Sequence, residues 1–536
     1  MKDIHGGFTQ GVQTRQMNSR GLNIIPLFAP GFHNAPRANF LKNQIVDKAL
    51  SYWQSALSVK RPSNRNILIR RDCVNDRLRF FPNQNGTFNV VCEQNCLQSA
   101  TCHTTQVPPN FLQACRTPGG TSGSDGSGIP GNSYLMIIDA SPGGLCNDGC
   151  PILGFINFCP NRLDENYPMN RILLSTAIHE MGHALGFNRN LYAFYRDENG
   201  RPRTSRDRNT GMPSTPRGEF GIFAPSENVV TEVMRNWRSA RTAITRKTAA
   251  FVLPNVLNFA RNHFNCPNLD GVDLENEGSS ATYMTHFEKR VVHDELMAGS
   301  VELQSIVSRL TLSVFQDSGW YDVNYEMAQD WKWGRNLGCD FVTKSCSEYL
   351  AIQRSRNAPT GPWCDYMDPS RIQCGAHNNA FNYCNMIRMQ QRVPPDKQHV
   401  TNSGDAEFMA GDSKLHDGCA VLQVKNISIY YKCQNPFMQY YGRNSMCVGH
   451  GKERWGQRGD LGASCHEYSC QNGLTIIIGQ SSISCPPQGG MVEVNAGGIN
   501  GFAECPPCKQ VCRDATFSLL IIPPHGRLTR PVYPKE

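Results

Sequence analysis

The sequence predicts an α+β protein of more than one domain, on three observations. A chain of 536 residues is longer than one hydrophobic core usually supports, so two or three domains are expected. Strand-like segments precede an apolar helix in the first 190 residues, which is typical of a mixed α+β domain. The 23 cysteines concentrate in two blocks, Cys73 to Cys159 and Cys339 to Cys512. The chain from about Tyr321 is therefore predicted to be a cysteine-rich, loop-rich domain held by disulfides.

The elements before residue 160 predict a mixed sheet with a helix packed on it. The stretch from Asn39 to Leu57 is predicted to be an amphipathic helix, because its apolar side chains recur at helical spacing. These side chains are Leu41, Ile45, Ala49, Trp53 and Leu57. Strands are predicted from Tyr134 to Asp139, after a Gly/Ser-rich stretch, and from Gly154 to Phe158.

The next element, Arg171 to Leu185, has a helical apolar pattern and contains His179-Glu180-Met181-Gly182-His183. Positions i and i+4 share one face of a helix, so His179 and His183 can hold one metal ion together. Glu180 lies beside them, where it can act on water without being a ligand. Gly186 is where such a helix is expected to end, because glycine readily adopts a left-handed turn.

Two histidines do not complete a catalytic zinc site, which usually has three protein ligands and one open position. Arg189 stands three residues after Gly186, where the common extended pattern has a third histidine, and arginine cannot ligate. The third ligand must come from further along the chain, and Glu198 is a nearby candidate. The alternative interpretation is a buried helix with two incidental histidines.

The segments Thr285 to Arg290 and Asp294 to Ala298 resemble leishmanolysin, a family of the metzincin zinc proteases. Members carry a long insertion between the helix glycine and the third histidine, followed by a Met-turn. The resemblance implies that His286 is the third zinc ligand and that Met297 is the methionine beneath the metal. His293 lies closer to Met297 but not at the family's ligand position, and we interpret it as a surface residue or a support for a ligand.

The resemblance extends from about Asn39 to about Cys512, and further segments carry it. These are Pro151 to Asn157, Phe315 to Tyr321, Trp333 to Cys339 and Asn500 to Cys505. It implies a metzincin-like catalytic domain with a mixed sheet and a zinc-binding helix, and then a helical central insertion.

The domain prediction has five segments. They are an N-terminal extension (1–38), an N-terminal catalytic subdomain with the zinc helix (39–188), a central subdomain with the third ligand and Met-turn (189–320), the cysteine-rich domain (321–513) and a tail (514–536). In the central subdomain, Arg196 to Gly218 is predicted to be loop. Asn228 to Thr242 and Pro254 to His263 are predicted to be helical.

The composition limits which classes of binding partner and which cellular compartment we expect for this protein. The formal charge of +8 is spread along the chain and no nucleic-acid motif accompanies it, so no nucleic-acid partner is expected. The cysteine content indicates an oxidising compartment, although the chain begins without an apolar signal region. We find no stretch that could span a membrane, because the apolar run Ser518 to Ile522 is too short. We expect an extracellular or cell-surface location, with the signal peptide not present in this chain, and possible cell-surface association. Asn85 and Asn426 begin glycosylation sequons.

The resemblance implies a zinc-dependent endopeptidase with one Zn²⁺, acting on protein or peptide substrates. Glu180 would take the proton of the attacking water and pass it to the leaving amine. Gly154 to Phe158 is the candidate edge strand that pairs with extended substrate, with an ordinary buried strand as the alternative. Two rival functions remain: a surface adhesion or binding protein whose zinc is structural, and a zinc hydrolase of another bond, such as an amidase.

Overall fold

The structure is a computed structural model that describes residues 21–512 apart from internal gaps. The gaps are 84–87, 103–104, 141–146, 151–152, 160–162, 164, 166–168, 219–220, 280–281, 303–304, 368–371, 375–380, 401–403, 424–444, 456–459, 472 and 497–498. The two sequons and the apolar stretch from Ser518 lie outside the described residues. Within the described part of the chain, no helix is long and apolar enough to cross a membrane.

The chain forms two compact units. The larger runs to Ala358 and also takes in Gln391–Phe408 and Ser413–Cys419. The smaller consists of Pro359–Gln390, Met409–Asp412 and the chain from Ala420 onward. The five segments predicted from the sequence are a finer division than this one and stay a prediction.

The first part of the larger unit alternates strands and helices. In chain order it contains β1 Asn23–Phe28, α1 Pro30–His33, α2 Ala38–Phe40, a π-helical turn Leu41–Val46, α3 Asp47–Ala56, β2 Leu57–Val59, β3 Leu78–Pro82, β4 Phe88–Cys92, β5 Thr101–Cys102, β6 Thr105–Gln106, a 3₁₀ turn Pro109–Phe111, β7 Cys115–Thr117, β8 Gly120–Ser122, β9 Ser133–Asp139, β10 Asn147–Cys150, β11 Leu153–Asn157, α4 Met169–Leu185 and α5 Arg189–Tyr192.

Four of these strands form the predicted mixed sheet, in the order β1-β9-β11-β10. Strands β1, β9 and β11 are parallel, and β10 is antiparallel to β11. Every residue of β9 is buried, as expected for a central strand covered on both faces. The proposal that Gly154 to Phe158 is an edge strand is wrong, because β11 is paired with β9 on one side and β10 on the other.

Helices α3 and α4 pack together as the amphipathic pattern predicts. The side chains of Leu41, Ile45, Ala49 and Trp53 are at most 1% exposed. Trp53 Nε1 donates a hydrogen bond of 2.9 Å to the carbonyl of Ile178, one residue before His179. The buried stripe therefore fixes α4 through both apolar contact and a directional bond.

The rest of the larger unit combines a hairpin with short helices. It contains β12 Val230–Arg238, β13 Ala243–Phe251, α6 Pro254–Phe264, β14 Val272–Asp273, α7 Lys289–Val292, α8 Arg309–Asp317, β15 Tyr321–Val323, α9 Cys339–Thr343, α10 Cys346–Ser355 and 3₁₀ turns at Tyr325–Met327, Pro395–Lys397, Ala406–Phe408 and Lys414–His416.

The prediction of a helix from Asn228 to Thr242 is wrong, because strands β12 and β13 form a long antiparallel hairpin there. The other predicted helix of this region is present as α6. In β12, Val233, Arg235 and Trp237 are buried while their neighbours are exposed, which is the period-two pattern of a strand. The sequence did not predict this alternation because of Arg235, since a charged residue is not expected to face the protein interior. It is buried because it forms ion pairs with Asp273 at 2.5 Å and Asp270 at 2.7 Å.

The segment Ser413–Cys419 returns to the larger unit and brings a buried carboxylate with it. Asp417 forms ion pairs with Arg246 at 2.6 Å and Arg290 at 3.5 Å, and its carbonyl contacts His399 Nε2 at 3.1 Å. Asp417 and Arg290 are each 1% exposed. Buried charges of this kind are costly unless they are paired, so the returning segment is part of the unit's interior.

The smaller unit contains a regular antiparallel sheet, so the prediction of a loop-rich domain is wrong for this part of the chain. Six strands lie in the order β24-β23-β22-β21-β26-β25. The strands and helix of the unit are β16 Gln373–Cys374, β17 Phe381–Cys384, β18 Met386–Arg388, β19 Met409–Gly411, β20 Leu422–Gln423, β21 Ser445–Trp455, β22 Asp460–Ser469, β23 Thr475–Ile478, β24 Ser481–Ser484, β25 Gly490–Ala496, β26 Ile499–Cys505 and α11 Cys508–Val511. One face of the sheet buries an apolar cluster that includes Val448, Ile476 and Val494.

Disulfides bridge both cysteine blocks, which confirms the predicted disulfide content. The described bridges are Cys73–Cys92, Cys96–Cys115, Cys266–Cys339, Cys346–Cys419, Cys364–Cys384, Cys374–Cys447, Cys470–Cys512 and Cys485–Cys505. All but Cys266–Cys339 lie within a single block, as predicted. That bridge ties the end of α6 to the start of α9.

We predict that removing Cys266–Cys339 destabilises the larger unit. The bridge closes a loop of 73 residues, and Cys266 is 1% exposed. Cys266→Ala with Cys339→Ala should lower the free energy of unfolding by about 2–4 kcal/mol, because the unfolded chain gains entropy. Calorimetry of the oxidised protein measures the change. Cys508→Ala, at a half-buried thiol outside any bridge, is the control and should leave the transition nearly unchanged. An unshifted transition in the double variant would contradict the bridge's role.

Candidate metal centre and active site

Three buried histidines meet at one point. His179 and His183 lie one turn apart on α4, and His286 comes from the segment before α7. The Nε2 atoms are 3.0 Å apart for His179 and His183, 3.2 Å for His179 and His286, and 3.1 Å for His183 and His286. Each side chain is at most 8% exposed. The structure thus brings together the three residues that the sequence predicts as ligands.

The opposite ring nitrogens determine which atoms face this point. His179 Nδ1 donates to the Leu296 carbonyl at 2.6 Å, and His183 Nδ1 to the Phe187 carbonyl at 2.7 Å. His286 Nδ1 lies 2.9 Å from Thr285 Oγ1 and 3.1 Å from the Thr282 carbonyl, and the Thr285 hydroxyl itself donates to that carbonyl, which leaves its oxygen as an acceptor. A ring nitrogen that faces a carbonyl must carry the proton, so each Nε2 presents a lone pair. Three lone pairs that converge in this way repel one another unless a cation lies between them, so the donor set fits a metal ion.

Burial keeps these imidazoles neutral. Burial, with a smaller contribution from His183, lowers the pKa of His179 to about 3. Burial lowers the pKa of His183 to about 4, and it lowers the pKa of His286 well below its usual range. Neutral imidazole is the form that binds a metal, so the rings are ready to ligate at neutral pH.

Helix α4 ends at Gly186, as the sequence predicts. Gly186 has a φ of +152°, and a Cβ there would lie 3.3 Å from the Trp320 ring. The turn that glycine permits directs the Phe187 carbonyl back to His183 Nδ1. The break in the helix therefore orients one of the three rings.

Met297 lies beneath the helix at Gly182. Its side chain is fully buried, and a Cβ on Gly182 would lie 3.1 Å from Met297 Sδ and 3.2 Å from the Trp53 ring. Glycine at this position lets the methionine pack directly against the helix backbone between His179 and His183. Met297 therefore lies directly against the part of α4 that carries both histidines.

The turn around Met297 also holds two of the histidines. Its Leu296 carbonyl accepts the His179 hydrogen bond, and the Met297 carbonyl accepts a hydrogen bond of 2.9 Å from Phe287 N, next to His286. One turn therefore orients a ring on α4 and the backbone of the third histidine.

Two buried carboxylates that sequence reasoning missed fix these segments. Glu295 is fully buried, and its carboxylate accepts bonds from Met297 N at 2.7 Å and Ser308 Oγ at 2.9 Å. Glu275 accepts from Lys289 N at 3.2 Å, and its own N–H donates to the His286 carbonyl at 2.9 Å. Burial raises the pKa of each carboxyl to about 7. Neither residue carries a sequence signal, because an acidic residue near a motif is normally exposed.

Glu180 follows His179 on α4 and is half-buried, with its Oε2 atom enclosed. Adjacent positions on a helix differ by about 100° in direction, so Glu180 leaves α4 beside the face that carries His179 and His183. The position is compatible with a group that acts on a molecule at the cluster without binding the metal.

The remaining candidates lie elsewhere. Glu198 is exposed in a turn and is not part of the histidine cluster. His293 is not at the surface but 8% exposed, stacked on Trp333 and 3.1 Å from His416 Nε2. The interpretation of His293 as a surface residue is therefore wrong. Arg189 donates from Nη1 to the Tyr283 carbonyl at 3.0 Å, so it supports the loop before His286.

The chain is similar to known metallopeptidases over most of its length. The family model of leishmanolysin matches residues 129–518. The chain is 30% identical over 548 residues to a leishmanolysin-like peptidase of Caenorhabditis elegans, covering 90% of this chain and 81% of the relative. A leishmanolysin-like peptidase of Drosophila melanogaster is 29% identical over 535 residues, covering 88% and 77% of the two chains. A ciliated left-right organizer metallopeptidase of Danio rerio is 26% identical over 531 residues, covering 91% and 73%.

The family match covers well over half of the chain, and it contains all three histidines, Glu180 and Met297. The chain therefore belongs to the leishmanolysin family of zinc metalloendopeptidases.

Proposed function

We propose that the Nε2 atoms of His179, His183 and His286 bind a single Zn²⁺. The observation that carries this is the triangle of 3.0–3.2 Å between three nitrogens whose lone pairs face inward. Nitrogens that bind zinc tetrahedrally at about 2.0–2.1 Å lie roughly 3.3–3.4 Å apart, so the rings need to move only slightly. Neutral imidazoles are the donors that zinc commonly selects.

Glu180 is the proposed general base. Zinc at this site would supply an activated water and polarise the carbonyl of the scissile peptide bond. The Glu180 carboxylate, one residue from His179, takes the proton of the attacking water. It then delivers that proton to the leaving amine, which cannot depart as an anion.

Substrate is proposed to lie extended along β10. This strand is antiparallel to β11 and has no second neighbour among the described strands, so its outer backbone groups are available for pairing. An added strand binds through main-chain hydrogen bonds that do not depend on sequence. Protein and peptide substrates of the family fit this mode of binding.

A peptidase explains the site better than a binding protein with structural zinc. Structural zinc is normally closed by four protein ligands, whereas the cluster in the described residues has three donors. A fourth, open position is what a hydrolytic site needs, and a structural site has no use for Glu180. The disulfides further support our proposal that the protein works outside the cell or at its surface.

We predict that Glu180→Ala and His183→Ala separate chemistry from metal binding. Glu180→Ala should keep about one zinc per chain and lose 10²–10⁴-fold in peptidase activity, a typical contribution of a general base. His183→Ala removes a ligand and should bind zinc much more weakly. Metal analysis of dialysed protein and a peptide-cleavage assay measure both effects.

Glu198→Ala is the matched control, since Glu198 is an exposed glutamate near the same helix. It should keep both zinc and activity. Full activity in Glu180→Ala would exclude the proposed base. Loss of zinc in Glu198→Ala would mean that the ligand set is wrong.

We predict that Glu295→Gln weakens zinc binding and alters the pH dependence of stability. An amide oxygen replaces only one of the two acceptors that hold Met297 N and Ser308, so the Met-turn loosens and zinc affinity falls about 10–100-fold. Burial raises the pKa of Glu295 to about 7. The Glu295 carboxyl group therefore makes its full contribution to the free energy of unfolding below about pH 4.5, and that contribution is lost as the pH rises through 7.

The glutamine variant does not titrate, so the fall in its stability from pH 5 to pH 7.5 should be smaller than that of the unaltered protein. Thermal unfolding in matched buffers at the two pH values measures the difference. If the unfolding temperatures of the two proteins changed with pH in the same way, Glu295 would not be a buried carboxyl group with a raised pKa.

A further inference from the structure

We propose that a polar recess of the larger unit, here named the α6 recess, binds an acidic sugar, a ring that carries one carboxylate and several hydroxyl groups. The recess has a volume of about 570 Å³, within the range of roughly 300–1,000 Å³ for pockets that hold small molecules. Its walls are α6, the start of α8 and the segment from Tyr325 to Asn336. These stretches contain no gap in the described chain, and the proposal does not depend on the peptidase function.

The recess contains one cation that is not paired with a carboxylate. Arg309 is exposed, and its guanidinium lies 4.9 Å from the centre of the Tyr325 ring. No acceptor among the described residues bonds to this guanidinium, so its donors remain for a ligand. The other charged lining residues, Arg335 and Asp330, form an ion pair at 2.6 Å. Two arginines and one aspartate leave a single positive charge, which matches a carboxylate better than a phosphate dianion.

His263 gives the recess a buried hydrogen-bond acceptor. It is 8% exposed and lines the recess. Its Nε2 lies 2.8 Å from the Trp333 carbonyl, so Nε2 carries the proton and Nδ1 keeps a lone pair. Burial lowers the pKa of His263 to about 4, so the ring is neutral at pH 7. No described residue donates to Nδ1, and a ligand that supplies a hydroxyl donor would satisfy it.

Carboxamide side chains add both donors and acceptors to the walls. Asn258 and Asn262 lie one turn apart on the face of α6 that lines the recess, and both are exposed. Gln329 Oε1 accepts from Val307 N at 2.9 Å, which leaves the Nε2 donors of Gln329 without an acceptor among the described residues. A sugar hydroxyl both donates and accepts, so neighbouring hydroxyls on a ring can pair with both ends of a carboxamide.

The aromatic rings of the recess are held in place by contacts within the protein. His263 is stacked on Trp331, with ring centres 4.1 Å apart, and Phe259 is stacked on His263 at 5.4 Å. Trp331 Nε1 donates to Asp294 at 2.9 Å. Phe259 is only partly buried, so apolar surface remains for the C–H face of a sugar ring. Because these rings are already ordered, a ligand loses little free energy in ordering them.

An acidic sugar is the ligand class that uses all of these groups. A simple carboxylate would pair with Arg309 but offers no hydroxyl donor to His263 or to the carboxamides. A neutral sugar would pair with the carboxamides but leaves the Arg309 charge without a partner. A ring that carries both kinds of group satisfies the cation, the acceptor and the amides together.

The test measures binding of small ligands to the complete protein by ligand-observed NMR titration. Methyl β-glucuronide and methyl β-glucoside differ only in a carboxylate that replaces a hydroxymethyl group. Methyl α-sialoside is a second acidic sugar, and acetate is a carboxylate without hydroxyls. At least one acidic glycoside should bind about tenfold more tightly than both the glucoside and acetate, as expected of a charge-assisted hydrogen bond added to hydroxyl contacts. The tighter of the two acidic glycosides identifies the ring that the recess prefers.

Two variants separate the charge from the hydroxyl contacts. Arg309→Gln should weaken binding of the acidic glycoside about tenfold and leave binding of the glucoside unchanged, because only the charge is lost. Asn258→Ala should weaken both glycosides by a similar factor of about three to ten, because it removes a partner for hydroxyls. Arg208→Gln is the matched control, since Arg208 is an exposed arginine of the larger unit that does not line the recess. It should bind every ligand as the unaltered protein does, and thermal unfolding checks that each variant is folded.

Absence of saturable binding by both acidic glycosides overturns the proposal, and so does an affinity that Arg309→Gln leaves unchanged. Acetate that binds as tightly as the acidic glycosides means that the recess binds simple anions, which also overturns it. Glucoside that binds as tightly as the glucuronide and the sialoside means that the carboxylate is not recognised, with the same consequence. None of these outcomes bears on Glu180 or the histidine cluster, so the peptidase function is tested separately.

Discussion

The site depends on one constraint: three imidazole rings must present their unprotonated nitrogens to the same point. His179 and His183 meet this constraint by donating Nδ1 to the carbonyls of Leu296 and Phe187. His286 Nδ1 faces the Thr282 carbonyl and the Thr285 hydroxyl, which is itself bonded to that carbonyl. Backbone carbonyls accept hydrogen bonds but never donate them, so the tautomer is fixed by the course of the main chain. The surrounding fold therefore has to place three carbonyls before it can place a metal.

Much of the surrounding architecture serves this placement. Gly186 turns the chain so that Phe187 faces His183, and the turn around Met297 brings the Leu296 carbonyl to His179. Glu295 holds that turn by accepting backbone and hydroxyl donors, and Glu275 holds the strand-like segment that carries His286. Buried carboxyl groups satisfied by several donors are a stiff support, because any movement leaves buried polar atoms without hydrogen-bond partners.

The sequence predicts the parts of this site that follow a local repeat or a motif. The spacing of His179 and His183 follows helix geometry, and the buried stripe of α3 follows an apolar period. His286 and Met297 could be chosen only through resemblance to a family, since no local rule relates them to α4. Period analysis failed at β12 because Arg235 points inward, and its partners Asp270 and Asp273 lie more than thirty residues away. Long-range pairing of this kind leaves no local pattern in the sequence. The roles of Glu275 and Glu295 could not be predicted for the same reason.

The return of Ser413–Cys419 to the larger unit has a consequence for how the protein is made. Asp417 neutralises Arg246 and Arg290 in the interior, and Cys419 closes a bridge to Cys346. A ribosome that has synthesised the chain only to Ala358 has delivered all three histidines of the cluster but leaves both arginines without this carboxylate. The larger unit is therefore completed only after residue 419 has emerged, together with segments of the smaller unit that precede it. Truncation after Met297 or after α10 therefore yields an unfinished interior and not a minimal enzyme.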